Sequence, residues 1–590
     1  MSGFTSRPEL RGDFGMVSST HWLASAAGMS VLERGGNAFD AAVATGFTLQ
    51  VVEPHMNGPG GEVPAVFQPA GGTPTVLCGQ GPAPAAAVPD AFDGLHRIPG
   101  SGVLPATVPG AFDAWLLLLR DHGTLPLRDV LDHAIGHARR GVAMIGPVAD
   151  KIAEIAKVFT RFWPSSAALY LSRGLPTAGS RHPNPALAAC YQRIVEESER
   201  SARTREARID AARAIWREGF VAEEILTSLD GPVPDSTGTP HHALLTGDDL
   251  ATWSASYETP TSLDYAGHTV HKTGPWGQGP VFLQQLRLAE SLGVAELDTL
   301  SPEFVHTVTE AAKLAFADRE AWYGDPNFVD VPLAELTSRG YAEQRAALVD
   351  DTASAELRPG SPNGHTPFVP DPRIADAAVA GRTSEGVEIV PSGEQRGDTC
   401  HLDVVDAAGN MVSATPSGGW LHGSPVIGNL GFPLGTRGQM FWLDPRSPSV
   451  IAPGKRPRTT LSPTLVTRAG QGVLALGTPG GDQQDQWTFN FFLRVMHTGM
   501  NLQEAIDSPM FHGNSFPSSF YPREMAPAEL VAESRFGERA VAELERRGHR
   551  VSVSDAWSLG RLAAVARDPG TGELCAGADP RAGQGYAAGR

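Results

Sequence analysis

At residue 399 the chain changes character within one peptide bond. Residues 352–397 are dominated by proline, glycine, serine, threonine and charge, as in RPGSPNGHTPFVPDPR and TSEGVEIVPSGEQRGD. Such a stretch has too little apolar surface for a packed element and reads as an exposed, mobile tether. Directly after it, Thr399-Cys-His-Leu-Asp-Val-Val-Asp406 has the alternation and β-branching of a strand. A turn at Asp406-Ala-Ala-Gly409-Asn410 and a second strand, Met411–Thr415, complete a hairpin. Leu465–Thr467 and Val473–Leu476, around Ala469-Gly470, repeat the pattern. With 66 glycines and 48 prolines, sheets joined by tight turns are favoured over a helical bundle or coiled coil.

Helices accompany the sheets. The spacing predicts one from His21 to Arg34, ended by Gly35-Gly36, and one capped by Asn37 over Ala38–Val51. Residues 196–218 read as one helix, with Ile209, Ala212 and Trp216 as its apolar stripe and its arginines in solvent. Residues 302–323 form another, with Phe304, Val305, Val308, Ala312, Ala315 and Phe316 on the apolar positions. Lys313, Asp318 and Arg319 within it read as structural ion-pairing residues. The glycine-rich turn MNGPGGEVP at 56–64 is either a tight loop or backbone lining a substrate site. It lacks the Gly-Lys-Ser/Thr ending of a phosphate loop.

Several functions are disfavoured. A formal charge of −18, from 47 basic and 65 acidic residues, repels phosphate backbones, so no nucleic-acid partner is expected. Cys78, Cys190, Cys400 and Cys575 are far apart, which supports neither a zinc site nor a disulfide framework. No metal or organic cofactor is expected. No run of 18 apolar residues occurs, and MSGFTSRPELRGDFGMV has no signal-peptide core, so a cytoplasmic protein without membrane partners is expected. Oligomerisation is left open. There is no Gly-x-Ser-x-Gly elbow, no His-Glu-x-x-His and no Walker loop. Gly274-Pro-Trp-Gly-Gln-Gly279 reads as a turn.

Three elements remain as candidate chemistry. Thr399 either starts a strand or becomes an N-terminal residue by cleavage of the Asp398–Thr399 bond. An N-terminal threonine carries its own general base, because an α-amine titrates near about 7.7–8.0. Gly477-Thr-Pro-Gly480-Gly481-Asp482, between a strand and a helix, is either a plain turn or a pair of amides for an oxyanion. Pro453-Gly-Lys-Arg-Pro-Arg-Thr459-Thr460 is either an ordinary loop or a hydroxyl pair for a carboxylate or carbonyl.

In this order the three elements resemble the γ-glutamyltranspeptidase family of N-terminal-nucleophile hydrolases. The likeness extends to Gly15-Met-Val-Ser-Ser, Glu33-Arg-Gly-Gly-Asn-Ala-Phe-Asp-Ala-Ala-Val43, Lys313-Leu-Ala-Phe-Ala-Asp-Arg319, Tyr323-Gly-Asp-Pro326, Asp398-Thr-Cys-His401 and Ala578-Asp-Pro-Arg581. The resemblance implies an α/β (α+β) fold, the four-layer αββα sandwich, made as an inactive precursor. Self-cleavage would give a large fragment, 1–398, ending in the tether (about 352–398), and a small fragment, 399–590, the two associating as one globule. Thr399 would be the nucleophile. Ser417 stands where the family has a threonine bonded to the nucleophile hydroxyl, and the Gly480 and Gly481 amides would receive the oxyanion.

The substrate positions depart from the family. Gln80 falls where an arginine clamps the α-carboxylate, Gly419 where an asparagine is expected, and Met440 where an acidic residue holds the α-amine. Thr459-Thr460 replaces a serine pair. Arg437 adds positive charge and hints at an acidic acyl group without an α-amine, as in oxamate amidohydrolase-like members. The expected function is hydrolysis of a small amide that is not a standard γ-glutamyl compound. The alternatives are a true γ-glutamyltransferase or glutathione hydrolase with an altered pocket, and an unprocessed, non-enzymatic binding relative. Cys400 and His401 are read as packed residues, not catalytic ones.

Overall fold

Two seven-stranded sheets, each antiparallel throughout, form the centre of the molecule. The computed structural model describes residues 4–371, 373–374 and 399–590. Asp398 and most of the predicted tether lie outside the described residues. In spatial order the first sheet runs Leu10–Gly12, Leu574–Ala578, Ala563–Arg567, Gln471–Gly477, Thr464–Arg468, His268–Lys272, Thr261–Tyr265. The second runs Tyr586–Gly589, Gly15–Ser19, Leu402–Asp406, Met411–Ala414, Val63–Gln68, Thr75–Gly79, Ser256–Glu258. Strands from before and after residue 398 are interleaved in both sheets, so a break there would leave two halves hydrogen-bonded to each other.

Period-two alternation assigns each strand face to a layer. Met16, Val66, Val76, Val405 and Met411 point inward to meet Leu465, Ala475, Val565 and Ala576 of the first sheet. Val17, Ala65, Phe67, Leu402, Val404 and Val412 point outward onto the helices Trp22–Glu33, Ala38–Val52 and Ala111–His122, and Leu127–Arg140 packs on Ala38–Val52 in turn. The outer face of the first sheet presents Val270, Val466, Leu474, Leu476 and Ala564 to the helices Gly279–Ser291 and Gln484–Thr498, and Pro302–Trp322 packs on Gly279–Ser291 in turn. Both faces of each sheet are therefore buried, and the four layers are helix, sheet, sheet, helix.

The local signals act as their chemistry requires. Asn37 caps Ala38–Val52 in a reciprocal box with Asp40. Asp406 closes the hairpin by accepting the Gly409 and Asn410 amides at 3.0 Å each. It also accepts the Ala38 amide at 2.9 Å, tying the hairpin to a helix N-terminus. The 196–218 segment differs from expectation. It is two helices, Pro185–Ser201 and Arg205–Glu218, because Thr204 caps a new start through the Ala207 amide. One of its arginines, Arg213, is buried and paired in two-pronged fashion with Asp113, at 2.8 and 2.9 Å. The beginning of the predicted tether is fastened to the helix Pro302–Trp322. Lys313 donates to the Ser354 carbonyl, Trp322 to the Gly360 carbonyl, and the Gly360 amide to Asp318.

Candidate active site

Thr399 lies at the head of the hairpin, buried, with backbone bridge pairing to Ser417. The Cys400 amide donates to the Pro416 carbonyl at 2.9 Å and holds the register. The two hydroxyl oxygens, Thr399 Oγ1 and Ser417 Oγ, are 3.2 Å apart. On its other side Ser417 exchanges both backbone hydrogen bonds with Glu62, at 2.9 and 3.0 Å. The glycine-rich turn 56–64 thus runs beside Ser417 through isolated backbone bridges, close to Thr399. A Cβ on Gly61 would overlap the Ser417 carbonyl, which explains the bare backbone there.

Arg437 completes the group. Its Nη2 donates to Ser417 Oγ at 2.7 Å, and its Nε donates to Glu62 Oε1 at 2.7 Å. The same Nη2 also pairs with Glu62. Both side chains are buried, and the guanidinium lies 4.9 Å from the centre of the Trp420 ring. Burial pushes the Glu62 carboxyl above its ordinary range, while Arg437 pulls it back down. Met440, Trp420 and Phe520 form an apolar cluster around this pair.

The turn Thr478–Gly481 follows the strand Gln471–Gly477 and opens the helix Gln484–Thr498. Gly480 has φ 133° and Gly481 φ 55°. A Cβ would overlap Trp487 at the first position and lie 2.9 Å from Phe520 at the second. Phe520 is thus shared between this turn and Arg437. Asp482 anchors the turn by accepting the Ser519 amide at 2.8 Å and the Ser519 hydroxyl at 2.6 Å, and by pairing with Arg319. Arg319 also pairs with Glu320, and Glu320 with Arg458.

The remaining predicted positions are not joined to Thr399 or Ser417 by a hydrogen bond among the described residues. Gln80 is buried and donates to the Gly81 carbonyl at 3.1 Å. Thr459 bonds through its amide to the Trp276 carbonyl, and Thr460 Oγ1 is buried with no described partner. Gly419, with φ 63°, faces Gly58 and Gly61 backbone. His401 is wholly buried, with Nδ1 and Nε2 each 2.9 Å from Thr415 and Asp403. Cys400 contacts Glu53 at 3.1 Å and Asn57 at 3.0 Å, and burial, followed by Glu53, pushes its thiol well above the usual range. It stays a thiol and not a thiolate nucleophile. The sequence assigns no role to Glu62 or Asp482, although both stand in glycine-rich motifs, and does not point to Phe520. The only signal for Glu62 was its place in the glycine-rich turn.

Among the described residues, His306, Glu310 and His549 are close enough to suggest a metal ion. The donors are already occupied, however. The two imidazoles hydrogen-bond at 2.9 Å, and Glu310 pairs with Lys313 at 2.5 Å and Arg358 at 3.1 Å. No helix among the described residues is long and apolar enough to cross a membrane.

A helix–sheet–sheet–helix sandwich with a hydroxyl residue at the head of a central strand is the plan of an N-terminal-nucleophile hydrolase. The family model described as gamma-glutamyltranspeptidase matches residues 24–589, and the chain belongs to that family. The glutathione hydrolase-like YwrD proenzyme of Bacillus subtilis is 32% identical over 97% of this chain and 98% of its own. The oxamate amidohydrolase proenzyme of Klebsiella pneumoniae is 30% identical over 98% of each. The solved structure of LmbA2991HD is 52% identical, covers both chains completely and superposes with a TM-score of 0.93. The protein is therefore an enzyme of the threonine-type amidohydrolase and acyltransferase class, made as a self-processing precursor.

Proposed function

We propose that the protein cleaves itself between Asp398 and Thr399 and then hydrolyses a small amide whose acyl part carries no free α-amine. In the first step Thr399 Oγ1 adds to the Asp398 carbonyl carbon. The C–N bond breaks, the Thr399 nitrogen takes the proton, and an ester links the two halves. Water then opens the ester, leaving Asp398 with a carboxylate and Thr399 with a free amine. That amine becomes the general base for turnover. Thr399 Oγ1 adds to the substrate amide, the Gly480 and Gly481 amides receive the oxyanion, and the amine product leaves with the proton. Water releases the acid from the acyl-enzyme.

The observation that carries the substrate assignment is the Glu62–Arg437 pair. Glu62 is the carboxylate nearest the nucleophile pair in this contact chain, and it is neutralised by Arg437. A substrate ammonium would meet Met440, Trp420 and Phe520 around that pair instead of a second carboxylate. Similarity to a relative known as an oxamate amidohydrolase supports the same choice. Intact-mass measurement of fresh protein should show two species split at Thr399. Thr399→Ala should stay whole and inactive. A γ-glutamyl anilide should release no chromophore, whereas amides of α-keto or dicarboxylic acids should be hydrolysed. Robust turnover of the anilide would overturn the substrate assignment, and a stable intact chain would overturn self-processing.

A further inference from the structure

A chain of contacts from Glu62 through Arg437 and Ser417 ends on the nucleophile, and its first two members have no task in the chemistry above. We propose that the Glu62–Arg437 pair is a positioning device that sets Ser417 against Thr399, and that Arg437 is not a clamp for a substrate carboxylate. The proposal rests on Thr399 being the nucleophile.

Hydrogen-bond direction is the first support. A guanidinium can only donate, so Ser417 Oγ is the acceptor in its 2.7 Å bond with Arg437 Nη2. The serine proton is then turned away from Arg437. Thr399 Oγ1 stands 3.2 Å off and can receive it. As the Thr399 hydroxyl loses its proton, charge grows on an oxygen that faces this donor. A cation directly behind Ser417 makes that donor stronger.

The fixity of Arg437 is the second support. Glu62 holds it through Nε and Nη2, and Trp420 lies over its face. Glu62 is in turn locked to the Ser417 backbone by two hydrogen bonds. Space for its carboxylate exists because residue 418 is glycine, since a Cβ there would overlap Glu62 Oε2. Gly418 has φ 74°, which a side chain would also resist. A substrate carboxylate would have to displace a buried partner already in place. The pair and Ser417 therefore form one rigid unit facing Thr399.

The test separates positioning from plain structural support. Removing one member of a buried pair strands a charge, whereas removing both for neutral groups of similar size restores much of the stability. Glu62→Gln, Arg437→Met, the double variant and the conservative Arg437→Lys would be followed by intact mass for splitting at Thr399 and by thermal melting. Both single variants should melt earlier and split more slowly. The double variant should regain most of its melting temperature yet split slower than wild type by about tenfold or more, the order of loss expected when a reacting group is misplaced. Its rate should also need a higher pH to reach half of its maximum. Arg437→Lys should remain folded and split at a rate between those two. If the double variant regains the wild-type rate together with its stability, the pair is structural only and the proposal is overturned. If Arg437→Lys is folded and the double variant is not, a wild-type splitting rate in Arg437→Met or Arg437→Lys overturns it equally. A wild-type chain that never splits refutes the nucleophile assignment and this proposal with it, a result distinct from a variant that keeps the wild-type rate.

Discussion

Asp482 and Arg319 are paired across the interior of the protein, and the pair fastens the Gly480–Gly481 turn to the helix Pro302–Trp322. Both groups are buried. Asp482 is nonetheless held below its ordinary carboxyl range, because Arg319 and the two Ser519 donors outweigh the burial. Asp482→Ala would leave Arg319 with Glu320 as its one paired carboxylate among the described residues and would free the turn. A cost of about 3–5 kcal/mol is expected for breaking one side of such a pair. Thermal melting should show the loss, and turnover should fall further than in an equally destabilised variant remote from the turn.

Gly480→Ala tests the proposed oxyanion role of that turn. The backbone there has φ 133° and the new methyl would meet the Trp487 ring, so the amides must shift. Loss of one oxyanion donor lowers turnover by about 10²–10³-fold in comparable sites. Gly470→Ala is the control. It has φ 79° in a hairpin turn, with nothing within 4 Å of the new methyl. It should cost about 1–2 kcal/mol of stability and leave turnover unchanged.

Cys400 is the rival nucleophile by sequence position, and its surroundings give it another role. Its thiol is buried, placed against Glu53 and Asn57, and pushed well above the usual range by burial. Glu53 also accepts Thr20 Oγ1 at 2.5 Å and pairs with Gln584. Cys400→Ser keeps a donor for Glu53 and should split at Thr399 at about the wild-type rate. Native protein at pH 8 should resist alkylation at Cys400, which mass mapping after iodoacetamide treatment would read. Loss of splitting in a folded Cys400→Ser chain would move the nucleophile away from Thr399.

The layers were legible where alternation and capping act over short distances. The hairpin at 402–414, the Asn37 box and the helix Pro302–Trp322 each follow from residues within a few positions of one another. The break at Thr204 was missed because the charge-rich helical pattern runs through it, and only the cap distinguishes two helices from one. Glu62 and Arg437 are 375 positions apart, so no local pattern shows that their charges cancel. Arg437 read alone suggests a site for an anion. Read with Glu62 it is a paired group. Ser417 was reachable only through the family likeness, because a serine eighteen residues after Thr399 has no periodic relation to it.

His21 gives the fold a pH limit that can be measured. The residue caps the helix Trp22–Glu33 by accepting the Leu23 amide on Nδ1 at 3.1 Å. Nδ1 must therefore be unprotonated. Burial, followed by the charge of His137, lowers its pKa to about 3. His271, also buried, is lowered to about 4, chiefly by burial. Both imidazoles sit near 6.5 when unfolded, so the unfolded chain binds more protons between the two limits. The stability contributed is present in full above about pH 6.5 and is lost as pH falls toward about 4 and then about 3. Melting temperature should fall steadily over that interval. His21→Asn keeps an acceptor for the cap without a titrating group, and its melting curve should fall less steeply with acid than that of the wild type. An unchanged slope would place the acid sensitivity elsewhere, with His271 the next residue to replace.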